Sequence, residues 1–279
     1  MKVVKFGGTS LSSAEQIKKA CNIILADKER KIVVVSAPGK RHKEDAKITD
    51  LLIKCAKNHL KDENTDKIVS EIVGRYKEIA EGLNLNDDIL DNICKDIASR
   101  ISQKTEHKTQ FIDCMKAAGE DNSAKLVAEY LKSKNVKAQY INPRDAGLVL
   151  SDEFGNARVL PESYDNLKKL NSMDGILVFP GFFGYSSKGE IVTFSRGGSD
   201  ITGSILAAAL DADVYENFTD VDFVYAADPN VIKNPKPITK ITYREMRELS
   251  YGGFSVLHEE TLEPVFRKNI PVNIKNTNN

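Results

Sequence analysis

A lysine followed by two glycines stands directly after the first apolar run of the chain. The segment KFGGTS starts at Lys5 and places Gly7 and Gly8 before two hydroxyl residues. Glycine lacks a β-carbon, so a phosphate could approach the backbone N–H groups closely, and the lysine would supply a point charge for a transferring phosphoryl group. The segment is not a Walker A loop, because the pattern G-x-x-x-x-G-K-[ST] is absent. Taken alone, these residues fit a phosphate cradle and a tight strand-to-helix turn equally well.

A second glycine pair opens a later apolar helix, in the segment SRGGSD that ends at Asp200. The N-terminus of a helix attracts anions through its N–H groups and its dipole. Arg196, directly before the glycines, offers a planar guanidinium that can hold a carboxylate with two hydrogen bonds. Ser199 and Asp200 are also typical helix-capping residues. Because capping does not explain an arginine beside two glycines, an anion-binding role is favoured.

A third polar segment, NFTDVD at 217–222, follows a predicted strand at 213–216. Together with Tyr225 it suits an adenine–ribose pocket, and Lys236 is near enough in sequence to reach phosphates. An irregular turn built from Asp and Pro explains the same residues at least as well when they are taken alone.

Three smaller features complete the candidate residues. Ser36 stands in the turn SAPG at the end of the second predicted strand, and Phe182 stands in PGFFG, which could wall a small pocket. Glu120 follows Gly119, where we expect a break between two helices that leaves the carboxylate available to a substrate ammonium. Each feature also has a plain explanation as a turn or a core residue, which is favoured when the feature is taken alone.

The order of apolar segments predicts an α/β protein, because short β-branched runs alternate with longer amphipathic ones. We expect an open, mainly parallel sheet in a three-layer αβα arrangement, with ligands at the carboxyl ends of the strands. The predicted strands are 3–6, 32–35, 137–141, 156–160, 175–179, 191–194, 213–216 and 272–274. The predicted helices are 13–26, 49–60, 65–83, 87–100, 122–133, 161–170, 199–209, 243–249 and 259–268.

Composition weakens several other classes of protein. The chain has 279 residues, and 40 Lys plus Arg balance 40 Asp plus Glu, which argues against bulk binding to nucleic acid or membrane. The four cysteines are dispersed and fit a reducing compartment. No histidine pair has metal-ligand spacing, and neither GxSxG nor HExxH occurs, so hydrolase and zinc-enzyme readings are weak. Without an apparent leader or membrane-length apolar run, we expect a cytoplasmic protein.

The motifs in combination resemble the catalytic domain of the aspartokinases, in the amino acid kinase family. The resemblance rests on VVKFGGTS, VVVSAPGK, KITDLL, AAGE, PGFFG, FSRGGSD and MRELSYGGFSVLHEETL, and it covers essentially the whole chain. KFGGTS followed about 190 residues later by RGGSD is a specific signature. Asn230 and Phe223 depart from the family pattern in the loop assigned to the nucleotide.

The resemblance implies a role for each candidate residue. Lys5 would support the transferring phosphoryl group, Asp200 would keep Lys5 oriented, and Arg196 would bind the substrate α-carboxylate. The substrate pocket would also contain Thr49, Glu120, Phe182 and Ser199. The nucleotide side would consist of Gly7, Gly8, Ser36, Thr219, Asp220, Tyr225 and Lys236.

The resemblance also implies the reaction. An aspartokinase uses ATP and Mg²⁺ to phosphorylate the side-chain carboxylate of L-aspartate, which is the first step of the aspartate pathway to lysine, threonine and methionine. We expect one catalytic domain at 1–279, with a substrate lobe at 1–195 and a nucleotide lobe at 196–279, no protein metal ligands, and a homodimer. The C-terminal ACT domains of relatives are expected to be absent from this chain.

Two alternatives stay open. A kinase of the same fold could act on acetylglutamate, glutamate, carbamate or a nucleoside monophosphate, although AAGE and KITDLL favour aspartate. The chain could also be a catalytically silent nucleotide-binding module, which the presence of Lys5, Arg196 and Asp200 disfavours.

Overall fold

The structure is a computed structural model that describes residues 1–195, 197–220, 224–225, 236–251 and 259–279. The strands are β1 Lys2–Phe6, β2 Arg30–Val35, β3 Ala138–Tyr140, β4 Ile176–Pro180, β5 Phe183–Tyr185, β6 Ile191–Thr193, β7 Val214–Thr219, β8 Val224–Tyr225, β9 Pro237–Ile238 and β10 Val272–Asn276. The helices are α1 Ala14–Leu25, α2 Ile48–His59, α3 Asp66–Gly82, α4 Asp87–Ser102, α5 Lys108–Ser133, α6 Pro143–Ala146, α7 Glu162–Leu167, α8 Gly198–Ala209, α9 Tyr243–Tyr251 and α10 Glu259–Arg267. Short 3₁₀ turns cover Thr9–Leu11 and Lys168–Ser172.

Six strands form one parallel sheet in the order β10-β7-β1-β2-β4-β3. Strand β1 lies near the centre, and its register pairs Lys5 with Val34 of β2 and with Asn217 of β7. All six strands therefore end at one edge of the sheet, where ligands bind in open α/β folds. The prediction of an open, mainly parallel sheet is confirmed.

The two faces of the sheet carry separate hydrophobic cores. Val4 and Phe6 of β1 pack in a core with helices α1 to α5, whereas Val3 packs in a second core with α6, α7, α8 and α10. Successive side chains of a strand point to opposite faces, so Lys5 points to the same face as Val3. This is the face that α8 covers, and it decides which residues can reach the ammonium of Lys5.

Helix α5 corrects the prediction for Gly119 and Glu120. We expected a break between helices here, but one continuous helix runs from Lys108 to Ser133. A β-carbon on Gly119 would stand 2.7 Å from Cβ of Ala37, so the glycine lets the helix pack closely against the end of β2. The small residue is therefore explained by close packing and not by a helix break.

Three other details differ from the sequence-based expectations. The predicted strand at 156–160 is reduced to one isolated bridge between Leu150 and Val159. Strand β7 continues past the predicted end at Glu216 to Thr219, because its pairing continues to Phe6 of β1 and to Asn276 of β10. The rings of Phe218 and Phe6 also stack, with centroids 4.9 Å apart. Eight strands are predicted from the sequence, whereas the main sheet among the described residues has six, beside the small antiparallel pairs β5–β6 and β8–β9. The division into lobes at 195 stays a prediction.

None of the helices in the described ranges combines the length and the apolarity that a membrane crossing requires.

The loops that follow β1 and β2 touch each other at two glycines. The N–H of Gly39 donates to the carbonyl of Gly8 at 2.8 Å, and a β-carbon on Gly39 would stand 2.6 Å from the Gly8 carbonyl carbon. Arg75 of α3 holds the second loop, because its guanidinium donates to the Gly39 carbonyl at 2.8 Å and pairs with Asp45 at 2.9 Å. Glycine is thus required at both positions by the approach of two backbones.

The close approach gives a stability prediction. Gly39→Ala should lower the free energy of unfolding by about 1–3 kcal/mol, the usual cost of forcing a methyl group into a packed site. The matched control is Gly74→Ala in α3, where nothing lies within 4 Å of the added β-carbon. This control should raise stability by about 0.5–1 kcal/mol, because alanine favours a helix more than glycine does. Urea denaturation checks both values, and a Gly39→Ala variant as stable as the original chain would contradict the described contact.

Candidate active site

A buried ion pair lies near the carboxyl end of β1. The Nζ atom of Lys5 is 2.6 Å from Oδ1 of Asp200, and the two side chains are only 9% and 17% exposed. Asn217 donates from Nδ2 to the same aspartate oxygen at 2.8 Å, and its Oδ1 lies 3.4 Å from the lysine Nζ as an acceptor. The three side chains form a closed set of polar contacts that fixes the position of the ammonium.

The fold brings these three residues together from distant parts of the sequence. Lys5 and Asn217 are register partners on β1 and β7, and Asp200 lies in the first turn of α8 on the same face of the sheet. The hydroxyl of Tyr215 donates to the Asp200 carbonyl at 3.2 Å, which ties the start of α8 to β7.

The start of α8 decides between the two interpretations of Asp200. The N-cap position is Gly197, with φ at 66°, and therefore neither Ser199 nor Asp200 occupies it. Asp200 instead directs its carboxylate to Lys5. The left-handed backbone at Gly197 explains a glycine there, because a residue with a β-carbon would be strained at that angle.

The glycine loop after β1 runs past the ammonium of Lys5. A β-carbon on Gly7 would stand 3.5 Å from the lysine Nζ, and the Gly7 N–H donates to the Phe218 carbonyl at 3.0 Å. The hydroxyl of Ser10 is buried and bonds Oγ1 of Thr277 at 2.6 Å, so it has a structural partner. Missing side-chain bulk at Gly7 leaves room directly beside the fixed cation.

Glu120 is a buried carboxyl group on α5, which covers the face of the sheet opposite to α8. The residue is 5% exposed, and its Oε2 is buried and has no hydrogen-bond partner within the described part of the chain. Burial raises the pKa of the Glu120 carboxyl to about 8, although the Ala37 N–H and the charge of Lys116 act in the opposite direction. An unpaired buried carboxyl oxygen of this kind is suited to receive a cationic ligand group.

Phe182 occupies a strained position between β4 and β5. Its φ is +75°, a conformation that bulky residues rarely adopt, and its N–H donates to Oγ1 of Thr202 at 3.1 Å. A β-carbon on the preceding Gly181 would stand 2.6 Å from the Ser199 side chain, and one on Gly198 would stand 2.6 Å from the Phe182 ring. The loop after β4 is therefore packed tightly on the N-terminus of α8, which places Phe182 and Ser199 side by side.

Two further predicted residues, Ser36 and Thr49, lie after β2 and at the start of α2. The N–H of Ser36 donates to the Phe6 carbonyl at 3.2 Å, directly after β2. Thr49 is half-buried in the first turn of α2, next to Ile48, which packs against the Gly119 position of α5. The structure thus gathers most of the predicted residues at the carboxyl edge: Lys5, Gly7, Gly8, Ser36, Thr49, Glu120, Phe182, Ser199 and Asp200.

The predicted nucleotide side is described only in part. Thr219 ends β7, and its hydroxyl lies 3.2 Å from Oδ1 of the exposed Asp220. The backbone of Tyr225 pairs with Pro237, the neighbour of the exposed Lys236. Arg196 lies outside the described residues, as do Phe223, Asn230 and the side chain of Tyr225. Their roles stay predictions.

No group of three or more His, Cys, Asp or Glu that could hold a metal ion occurs in the described ranges.

Comparison with known proteins identifies the family. The model of the amino acid kinase family matches residues 1–276. The chain belongs to the amino acid kinase family. It is 55% identical to aspartokinase 3 of Bacillus subtilis over 279 residues, which is 100% of this chain and 62% of that protein. It is 31% identical to the lysine-sensitive aspartokinase 3 of Escherichia coli over 97% of this chain and 60% of that protein.

Solved structures of the same family superpose on the whole chain. The aspartate kinase of Clostridium acetobutylicum is 40% identical, with a TM-score of 0.87 over 100% of this chain and 61% of that one. Aspartokinase III of E. coli, solved in complex with aspartate and ADP, is 29% identical, with a TM-score of 0.82 over 100% of this chain and 62% of that one. The chain therefore spans about 62% of the length of the relatives that it matches.

Sequence reasoning missed two residues that contact or act on the candidate site residues. Asn217 was placed in a loop, but it belongs to β7 and contacts both Lys5 and Asp200. Its position two residues after Tyr215 puts it on the same face of the strand, a periodicity that was available from the sequence. Lys116 lies one turn before Glu120, and this spacing becomes visible only when α5 is recognised as one helix.

The buried carboxyl group predicts a pH-dependent stability. The folded-state pKa of Glu120 is about 8, against an ordinary value of 4.5, so the folded chain holds a proton that the unfolded chain releases between these pH values. Its contribution therefore makes the fold less stable as pH rises from about 4.5 to about 8. Glu120→Gln removes this loss, so the melting temperature of the variant relative to the original chain should be several degrees higher at pH 8 than at pH 5.

The control is Glu129→Gln on the exposed side of the same helix, whose effect should be equal at both pH values. Differential scanning calorimetry provides the comparison. If Glu120→Gln changed the melting temperature equally at pH 5 and pH 8, the buried carboxyl group would not be the source of the pH dependence.

Proposed function

We propose that the chain catalyses transfer of the γ-phosphoryl group of MgATP to the side-chain carboxylate of L-aspartate, giving 4-phospho-L-aspartate and ADP. The observation that carries the proposal is the buried Lys5–Asp200 pair beside Gly7, which presents one fixed cation at the edge where ligands bind. The aspartokinase relatives support aspartate as the acceptor and the aspartate pathway as its setting.

The reaction brings two anions together, a triphosphate and a carboxylate. The acceptor is already ionised at neutral pH, so no general base is required. Catalysis then depends on positioning and on neutralising charge in a site that is already organised. The ammonium of Lys5 supplies this charge, and its contacts with Asp200 and Asn217 mean that it needs no reorganisation when the phosphoryl group moves.

The substrate side would read the two α-substituents of aspartate. We assign the α-carboxylate to Arg196 and the α-ammonium to Glu120, with Thr49, Phe182 and Ser199 completing the pocket. The pKa of about 8 means that the empty site carries Glu120 largely protonated at neutral pH. Binding of the ammonium would then release the proton, because a cation next to the carboxyl group favours its ionised form.

The phosphoryl donor is proposed to be MgATP, bound as a complex. The described residues contain no cluster of metal-ligating side chains, and Mg²⁺ commonly completes its coordination with phosphate oxygens and water. The ADP in the structure of E. coli aspartokinase III supports an adenine nucleotide. We assign seven residues to the nucleotide side: Gly7, Gly8, Ser36, Thr219, Asp220, Tyr225 and Lys236. A homodimer in the cytoplasm is also part of the proposal.

The substrate is tested by trapping the product. Hydroxylamine converts an acyl phosphate to a hydroxamate, so ATP should give a hydroxamate with aspartate and much less with acetylglutamate or glutamate. Parallel ADP-release assays would cover carbamate and nucleoside monophosphates. ATP binding without acceptor-dependent ADP release would favour a silent nucleotide-binding module and would contradict the proposed reaction.

The role of Lys5 gives a quantitative prediction. Lys5→Ala should reduce turnover by about 10²–10³-fold, the usual effect of removing one organised charge-stabilising donor. The control is Lys31→Ala, an exposed lysine near the amino end of β2, which should retain normal turnover. Circular dichroism should show a folded Lys5→Ala variant. A folded variant with turnover close to that of the original chain would exclude the assigned role.

A further inference from the structure

Lys116 is a nearly buried lysine that the proposed mechanism does not use. Its side chain is 13% exposed, and its Nζ lies 2.8 Å from Oδ1 of Asp113 and donates to Oγ1 of Thr193 at 2.9 Å. Asp113 is in turn held by the N–H groups of Gly155 and Thr193, at 2.7 and 2.8 Å to its Oδ2. The ammonium of Lys116 is therefore fixed by a network that joins α5 to β6.

The fixed ammonium lies next to two walls of the candidate pocket. Its Nζ stands 5.5 Å from the ring centroid of Phe182, within the range of a cation–π interaction. Lys116 also precedes Glu120 by one helical turn, on the same face of α5, and its charge favours the ionised form of that carboxyl group. One cation therefore contacts the strained Phe182 loop and acts on the buried Glu120.

We propose that Lys116 is a positioning residue of the amino-acid pocket, which braces the ring of Phe182 and favours ionisation of Glu120 when the substrate ammonium binds. The inference rests on the proposed function in its assignment of an α-amino acid to this pocket. The link between Lys116 and Glu120 rests on their spacing of one helical turn and on the effect of the lysine charge on the carboxyl group, and it can be measured without any substrate.

Within the described part of the chain, Lys116 is the cation whose charge acts on Glu120. Helix α2 presents the apolar Ile48 and Leu52 to this part of α5. Helix α3 presents Tyr76, whose hydroxyl donates to the Gly119 carbonyl at 2.9 Å and whose pKa burial raises well above its usual value, so the phenol is neutral.

Helix α4 contributes a charge cluster that is already paired. Arg100 pairs with Asp96 at 2.9 Å and with Asp121 at 2.8 Å, so two carboxylates balance its charge, whereas Lys116 pairs with the single carboxylate of Asp113. The end of β2 contributes the Ala37 N–H, which hydrogen-bonds the Glu120 carboxyl group.

The kinetic experiment compares Lys116→Met with Lys116→Arg. Loss of the cation should raise the pKa of Glu120, and below that pKa each unit of increase cuts the ionised fraction about tenfold. Lys116→Met should therefore raise KM for aspartate about 3–10-fold at pH 7, with KM for ATP and kcat nearly unchanged. The ratio of variant to original KM should fall towards one at pH values above the pKa of Glu120, and Lys116→Arg should retain most of the original behaviour.

The chain offers a close control in Lys125 on the same helix. Lys125 also pairs with an aspartate, Asp121, at 2.8 Å and also stands 5.5 Å from an aromatic ring, that of Tyr140. Lys125→Met removes the same kind of contacts away from Glu120, and it should leave KM for aspartate and its pH profile unchanged.

A second measurement needs no activity. The melting-temperature difference between Lys116→Met and the double variant Lys116→Met with Glu120→Gln reports the ionisation of Glu120 in the absence of the lysine. This difference should increase with pH, and the increase should occur at higher pH than it does between the original chain and Glu120→Gln, where Lys116 is intact. An unmoved profile together with an unchanged KM overturns the inference. If the original chain makes no aspartyl hydroxamate, the proposed function fails, and the stability profiles still decide whether Lys116 acts on Glu120.

Discussion

The ion pair between Lys5 and Asp200 is the interaction on which the organisation of the site depends. Removing two charges from water is costly, and the cost is offset only when the geometry is good and further hydrogen bonds are made. Here the lysine Nζ and the aspartate Oδ1 are 2.6 Å apart, and Asn217 bonds to both side chains. This requirement fixes how closely β1, β7 and the start of α8 can pack, and it presents the ammonium at the carboxyl edge of the sheet.

A second buried charge-bearing group lies at the part of the edge that we propose binds the amino acid. Glu120 is buried, its Oε2 has no hydrogen-bond partner among the residues that the structure describes, and burial raises its pKa to about 8. The fold keeps this unfavourable arrangement because α5 is anchored at several points, including the close contact of Gly119 with Ala37 and the network of Asp113. The buried carboxyl group of Glu120 lowers the stability of the fold, and a cationic ligand group bound beside it would offset this loss. Lys5 is the complementary case, a fixed cation at the part of the edge that we propose binds the phosphates.

Much of the fold followed from local patterns in the sequence. Strands β1, β2, β4 and β10 are short and β-branched, and the parallel, three-layer arrangement follows from their alternation with amphipathic helices. The predictions failed where tertiary contacts decide the outcome. The helix break predicted at Gly119 does not occur. A glycine is needed there for close packing against Ala37, and no local sequence pattern reveals this contact. Strand β7 runs beyond its predicted end because Phe218 pairs with Phe6 of β1, a contact between distant parts of the sequence.

The candidate site shows the same limit. Glycine pairs and a strand-end lysine are visible as motifs in the sequence. The sequence does not show that Gly8 is required for the approach of Gly39 or that Gly7 lies beside the Lys5 ammonium. The partner of Lys5 was identified from a family resemblance, since about 195 residues separate it from Asp200. Asn217 went unnoticed, because its importance depends on strand register.

The most direct test of the account is a double-mutant cycle on Lys5 and Asp200, with turnover measured by aspartyl hydroxamate formation. If Asp200 acts only by holding the lysine, Asp200→Asn should slow the original chain but should have almost no further effect in a Lys5→Met background, since residues that act as a unit are strongly non-additive. Multiplying effects in the double variant, with both single variants folded, would contradict the claim that one fixed ion pair organises the site.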